Sequence, residues 1–299
     1  MILLLLAACG QFVPAEQALT DASTDTIAAD VELATRDELV QADRLAHYAQ
    51  DGLLRYHTAD VQWGGGTARG VDYSGILDSA EARVTMGDAL ANLGAVDPSA
   101  LADPSERLAF WMNQYNVWVV QGILTTLQGD PDYPGVESDG WALFNTAFVQ
   151  AGGLELTLNQ VEHCVIRGDE QSFELYVEDP ALADQLWAWH DELWDDGVVD
   201  ARIHVGINCA SVGCPDITAG AWQPETLDAN LDAAAARFLA HPGKGAGPDG
   251  ISTLFSWFAG DFEASHGGAA AFIEQHRAGG TSGVTLETYL PYDWALNDL

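Results

Sequence analysis

Apolar positions recur at helical spacing through most of the chain. The clearest run is "ERLAFWMNQYNVWVVQGIL", opened by Pro104 and Ser105, where Leu108, Trp111, Met112, Tyr115 and Val119 share one face. Phe110, Val117, Trp118 and Val120 make the other side apolar too, which predicts a helix buried nearly all round. Further helices are predicted over 37–56, from the turn around "GGGTARGVDYSGI" to about residue 94, and over the Trp-rich stretch 180–196. The segment "WALFNTAFVQAGGLELTLNQVEHCVIRG" reads as strand, Gly-Gly turn, short strand and helix, with Thr157 and Gln160 as a capping box. In that helix Leu158, Val161 and Val165 face the core, while Asn159, His163 and Arg167 align at intervals of four. Residues 172–177 alternate as a strand, and in "RIHVGINCASVGCP" Ile203, Val205 and Ile207 alternate with Arg202, His204, Gly206 and Asn208. The pattern predicts an α+β, helix-rich single domain over 37–299. Its small central β-sheet, built from strands near 141–156, 172–177 and 202–208, would be covered by helices.

Composition narrows the class. A chain of 299 residues with 48% hydrophobic content can bury a full core. Eleven Lys plus Arg against 45 Asp plus Glu give a formal charge of −34, and Lys244 is the only lysine. Such a surface repels phosphate backbones, so no nucleic-acid partner is expected. No Gly-rich phosphate loop, G-x-S-x-G elbow or H-E-x-x-H helix is present, and no cofactor is predicted. The acidic stretch "DELWDDG" reads as a solvated face.

The opening "MILLLLAACG" resembles a bacterial lipoprotein signal, with residues 1–9 as the signal segment and Cys9 as the lipidated residue. Its apolar run is too short to span a bilayer, which takes about 20 residues. Residues 10–36 read as a flexible tether. By resemblance to lipoprotein sorting, Gly10 favours the outer membrane, so the expected location is the cell envelope, with lipid on Cys9 as the membrane contact. Three cysteines then remain, Cys164, Cys209 and Cys214, which in an oxidising compartment means one pair and one leftover, or a thiol kept for chemistry.

The candidate chemistry lies in three places. Asn113 and Asn116 share a face of the buried helix, and a buried amide without partners costs about 1–3 kcal/mol. They either tie down neighbouring backbone, or one orients a catalytic imidazole or donates to an oxyanion. His163 has Glu162 beside it and Arg167 four residues on; a fixed cation biases the ring toward the neutral form that a general base or metal ligand requires. A satisfied structural histidine is the alternative. Cys209 is delivered by the strand carrying His204 into a loop where Ala210, Ser211 and Gly213 leave the backbone open, the ingredients of a nucleophile with an oxyanion pocket.

The segments "LAFWMNQYN", "LTLNQVEHCVIR", "RIHVGINCASVGCP" and "YLPYDWALN" together resemble the domain of unknown function 547 family, in the same order, with looser similarity at "GVDYSGI" and "LFSWFAGDF". The resemblance covers roughly 71–299. It implies exported or lipid-anchored bacterial relatives, and eukaryotic ones joined to other modules, thiol-redox modules among them. The motif positions carried onto this chain are Asn113, Asn116, Glu162, His163, Arg202, His204, Cys209, Cys214 and Pro215. The stretch from Gly168 to Ala201 is longer than the family's usual spacer.

Three readings follow. In the first, a cysteine-dependent hydrolase or acyl transferase, Cys209 attacks a carbonyl, His163 or His204 takes its proton, and Glu162 or Asn113 orients that ring. The second is a metal site of His163, His204, Cys209 and Cys214, or a thiol-redox pair. The third is a non-catalytic extracytoplasmic binding or scaffold domain in which Cys209 and Cys214 bridge. Asn116, Arg202 and Cys214 would form a supporting polar network, and the substrate or ligand is open.

Overall fold

The computed structural model describes residues 49–195 and 197–299; Cys9, the stretch 10–36 and the first part of the helix expected over 37–56 lie outside the described residues. The axis of the fold is the predicted central helix, here α3, Pro104–Gly129. Asp103 caps it by accepting from the Ser105 amide, and Pro104 sits in the first turn, where its missing N–H costs nothing. Every residue from Leu108 to Val120 is buried. Among them Gln114 is fully partnered, donating to the Leu93 and Gln150 carbonyls and accepting from the Trp118 indole.

Around this axis pack α1 (Tyr73–Asp78), α2 (Ala80–Ala95) and a π-helix over Gln160–Ile166. The expected capping box forms: the Gln160 amide donates to Thr157 Oγ1, and the Thr157 amide donates to Gln160 Oε1. Leu158, Val161 and Val165 are buried as their spacing requires. The turn is wider than α, with the Arg167 amide reaching back five residues to the Glu162 carbonyl. A small part of the acidic excess serves as caps, with Asp72, Asp97, Asp103, Asp169 and Asp179 each holding a helix N-terminus.

The fold is helix-rich α+β, but the described residues hold no central sheet. Three separate hairpins replace it: β1–β2 (Thr58–Trp63, Gly66–Val71), β3–β4 (Val149–Ala151, Leu154–Leu156) and β5–β6 (Ala246–Gly247, Gly250–Ile251). The first lies where a turn leading directly into a helix was expected; Gly64 and Gly65, both with positive φ, make its tight connection. The segment before β3 is a turn of helix, α4 (Ala142–Asn145), rather than strand.

Two predicted strands are helical. Residues 172–177 fall largely within α5, Glu170–Tyr176, because Asp169 caps it through Ser172 and Phe173 stacks on Trp187 of α6 (Pro180–Asp191) at 4.0 Å. The stretch 202–208 contains α7, Ile203–Gly206, and turns extended only at Ile207. Its alternation has a different cause: Ile203 and Ile207 join the main hydrophobic core, whereas Val205 joins a second cluster with Phe238, Phe255, Phe262 and Phe272. The segment lies between two cores, so it has no solvent face, and a Cβ on Gly206 would strike Met112 of α3.

The second cluster is built from α8 (Leu227–Leu239), α9 (Leu254–Trp257), α10 (Ala259–His266) and α11 (Ala269–His276). The segment from Pro291 to Leu299 then runs back across the molecule. Its backbone bonds Val71, Pro134, Ala210, Val212 and Gly213, and Asn297 joins Tyr73 to Asn208 through side-chain hydrogen bonds.

Candidate functional site

The cysteine loop is positioned by amides. Asn116 donates to the Gly206 carbonyl at 3.1 Å and accepts from the Asn208 amide at 2.8 Å. Asn208 in turn bonds the Pro215 carbonyl and the Ala210 amide. Asn113 makes the same two-way clasp with the Trp222 backbone, 3.0 and 2.8 Å. Both of these bonds go to backbone rather than to an imidazole. Arg202 also lies apart from the loop, bonded to Asp200, Asp228 and Asp232. Lys244, the single lysine, is buried and donates to the Cys214 carbonyl and to Asp216, at 2.7 and 2.6 Å.

The open loop amides expected from Ala210, Ser211 and Gly213 are mostly not available. The Cys209 amide donates to Cys214 Sγ, Ala210 to Asn208, Val212 to Ala295, Gly213 to Asp293 and Cys214 to Ser211. An oxyanion pocket of successive backbone N–H groups is therefore not formed.

What the loop does present is a pair of thiols. Cys209 Sγ lies 2.7 Å from Cys214 Sγ and 3.1 Å from the Tyr292 hydroxyl. Burial pushes the Cys209 thiol up, but hydrogen bonds from Cys214, Tyr292 and Ser211 outweigh it and hold it below the ordinary thiol value. Cys214 moves the other way: burial and the adjoining Cys209 drive it well above that value. The two sulfurs are thereby differentiated, Cys209 shifted toward the thiolate and Cys214 toward the thiol. Cys164 is buried elsewhere, and desolvation pushes it up to about 12.

The pair opens onto a cavity of about 320 Å³ that brings together Glu162, His163, His204, Cys209 and Cys214, with Asn159 beside them. Its remaining lining is largely aromatic: Tyr115, Trp141, Phe144, Trp257, Phe258, Tyr292 and Trp294. Among the described residues, Trp141 and Ala210 are the non-glycine positions with positive φ, 68° and 61°. One lines this cavity and the other follows its cysteine, so local backbone strain concentrates there.

A charge network runs along one wall. Asp261 accepts from His204 Nε2 and from Arg167 Nε, both at 2.8 Å; Arg167 Nη1 lies 3.1 Å from His163 Nδ1, and that nitrogen lies 3.9 Å from Glu162. His204 stacks on Phe258 at 3.9 Å, and its Nδ1 is buried without a hydrogen-bond partner among the described residues. Burial lowers both histidines below the ordinary imidazole value, with Arg167 adding to the effect. Burial acts to raise Asp261, yet the bonds from His204 and Arg167 bring it down to about 2. Neither histidine is among the hydrogen-bond partners of Cys209, and among the described residues no group of three or more His, Cys, Asp or Glu is arranged to hold a metal ion. The four-ligand set of His163, His204, Cys209 and Cys214 is thus not assembled.

Sequence reasoning missed Asp261, Arg167 as its partner, and Tyr292. The only signal was their neighbourhood, since Asp261 lies in "LFSWFAGDF" and Tyr292 in "YLPYDWALN". No curated protein and no solved structure matches the chain. Residues 98–239, which carry the central helix, Glu162, His163, His204 and both loop cysteines but stop short of Asp261 and Tyr292, match the family described as "Protein of unknown function, DUF547".

Proposed function

We propose that the protein is a dithiol oxidoreductase that exchanges disulfides with a small substrate held in the aromatic pocket. The observation that carries this reading is the paired, unequal thiols: a nucleophile with lowered pKa and a second sulfur 2.7 Å away. The Cys209 thiolate attacks one sulfur of the substrate disulfide and the first substrate thiolate leaves. Cys214 gives up its proton and attacks Cys209 Sγ, expelling the second. The substrate gains two electrons and the pair becomes a disulfide, which an external thiol must reduce before the next turn. Export and lipid attachment at Cys9, read from "MILLLLAACG", would put the site in the cell envelope, where disulfides persist.

The acyl-transfer reading uses the same Cys209, and the ionisable groups of the pocket favour it. It lacks a histidine against the thiol and a set of free amides, so it ranks second. The test is to mix the reduced full chain with a small aromatic disulfide and count thiols released beyond those from the C209S/C214S double variant. The exchange reading expects two per chain and an internal disulfide. C214S stops at one, with the adduct on residue 209 by mass. If C209S reacts as fast as the parent, or the parent retains a stable adduct, the proposal fails. Turnover of a thioester that needs Cys209 but not Cys214 would put acyl transfer first.

A further inference from the structure

The walls of the pocket say more about its occupant than the thiols do. Trp141 meets Trp294 edge-on at 4.5 Å, Tyr292 lies 4.2 Å from Trp294, and Trp257 stacks on Trp294 at 5.6 Å. Trp257 remains 46% exposed, an unusual position for the largest apolar side chain. Aromatic faces carry negative quadrupole density, and one ring of this wall already uses it: the Arg167 guanidinium sits 4.7 Å over Phe258.

The polar groups facing the cavity have the same sign. Glu162, whose side chain is 13% exposed, finds only His163 within ion-pair distance among the described residues, and burial keeps that ring neutral. Arg167 is occupied by Asp261 and His163. His204 Nδ1 adds a buried lone pair that has no partner among the described residues. Among the described residues no lysine or arginine lines the cavity, and the chain's charge of −34 deepens the field. Ring faces, a carboxylate and an imidazole lone pair all call for a positive occupant.

We infer that the pocket selects disulfides bearing a cationic amine, with the ammonium group held by Glu162 and the Trp141–Trp257–Trp294 wall. This specificity rests on the exchange reading above. An anionic disulfide would meet no compensating charge, and a neutral one would gain only apolar contact.

The test compares three disulfides of similar size with the reduced full chain: cystamine, bis(2-hydroxyethyl) disulfide and dithiodiglycolate. Each rate is divided by that of the same disulfide with free 2-mercaptoethanol, which removes differences in leaving-group pKa. Measurement in about 0.5 M NaCl screens the general field of the acidic surface, leaving contacts inside the pocket. Cystamine should keep a normalised advantage over the neutral disulfide of about three- to tenfold, with dithiodiglycolate slowest. E162Q should cut that advantage, and so should W257L, at a position that is 46% exposed.

Equal normalised rates at high salt, or an advantage unmoved by both variants, would overturn the inference. If no disulfide reacts with the parent protein, the exchange reading falls. Tryptophan fluorescence titrated with tetramethylammonium then decides the cation site on its own. Saturable quenching weakened in E162Q supports it, and a linear response rules it out.

Discussion

The chemistry of Cys209 depends on who donates to it. Three donors oppose the desolvation of the Cys209 sulfur, and Tyr292 can be removed with the sulfur pair left intact. Burial and the adjoining sulfurs hold the Tyr292 phenol well above its usual range, so it stays protonated and donates throughout the accessible pH scale. Tyr292→Phe should therefore shift the pH profile of Cys209 alkylation by iodoacetamide upward, because the thiolate loses one stabilising bond while the thiol does not. An unmoved midpoint would remove Tyr292 from the site. The two buried asparagines show how far a residue can be read from sequence. Their burial and need for partners were legible, since a wet amide cannot sit on an all-apolar helix. Which backbone each would clasp was not, because Trp222 and Gly206 reach α3 only through tertiary packing.

Asp261 joins three elements, bonding His204 of α7 and Arg167 after the π-helix from its own place on α10. Its carboxyl is held at about 2 against an ordinary 3.8, so the stability it contributes is complete above that ordinary value and is lost as pH falls through about 2. The difference corresponds to about 2 kcal/mol. Asp261→Asn should be less stable than the parent by that order near neutral pH in urea titrations, and the gap should close as pH drops toward about 2. A gap of equal size in acid and at neutrality would mean that geometry, not charge, ties these elements. Elements with local signals were legible: the capping box at Thr157 and the proline-opened α3 both stand as read. Elements whose pattern was set from outside were not. Residues 203–207 alternate because two hydrophobic clusters flank them, and a period of two then looks like a half-buried strand.

Over the whole molecule, 45 acidic residues face 11 basic ones, and several of the basic ones are drawn inward. Arg167 and Lys244 each pair with a carboxylate, Asp261 and Asp216, while Arg202 and Arg237 each bind more than one. Repulsion among the remaining carboxylates then works against the compact state. Raising NaCl from about 0.02 to about 0.5 M should lift the melting temperature by several degrees, since the screening length falls from roughly 20 Å to about 4 Å. A flat or falling melting temperature would mean that the inward ion pairs, which salt weakens, outweigh the surface repulsion. The overall balance of helix over strand was legible from periodicity. The location of the site was legible only in part, because its aromatic wall is gathered from α4, α9 and the segment after Pro291.

That late segment has a consequence in time. Cys209 and Cys214 are five positions apart and meet almost as soon as both exist, whereas Tyr292 lies 83 positions beyond Cys209. Short loops close far sooner than long ones. In a newly made chain the sulfurs thus encounter each other, and whatever oxidant surrounds them, before the phenol that tunes them has docked. A molecule that closes its bridge early presents Tyr292 with a sulfur that can no longer ionise. The surroundings in which the chain matures, rather than the finished pocket, set the oxidation state from which each molecule begins.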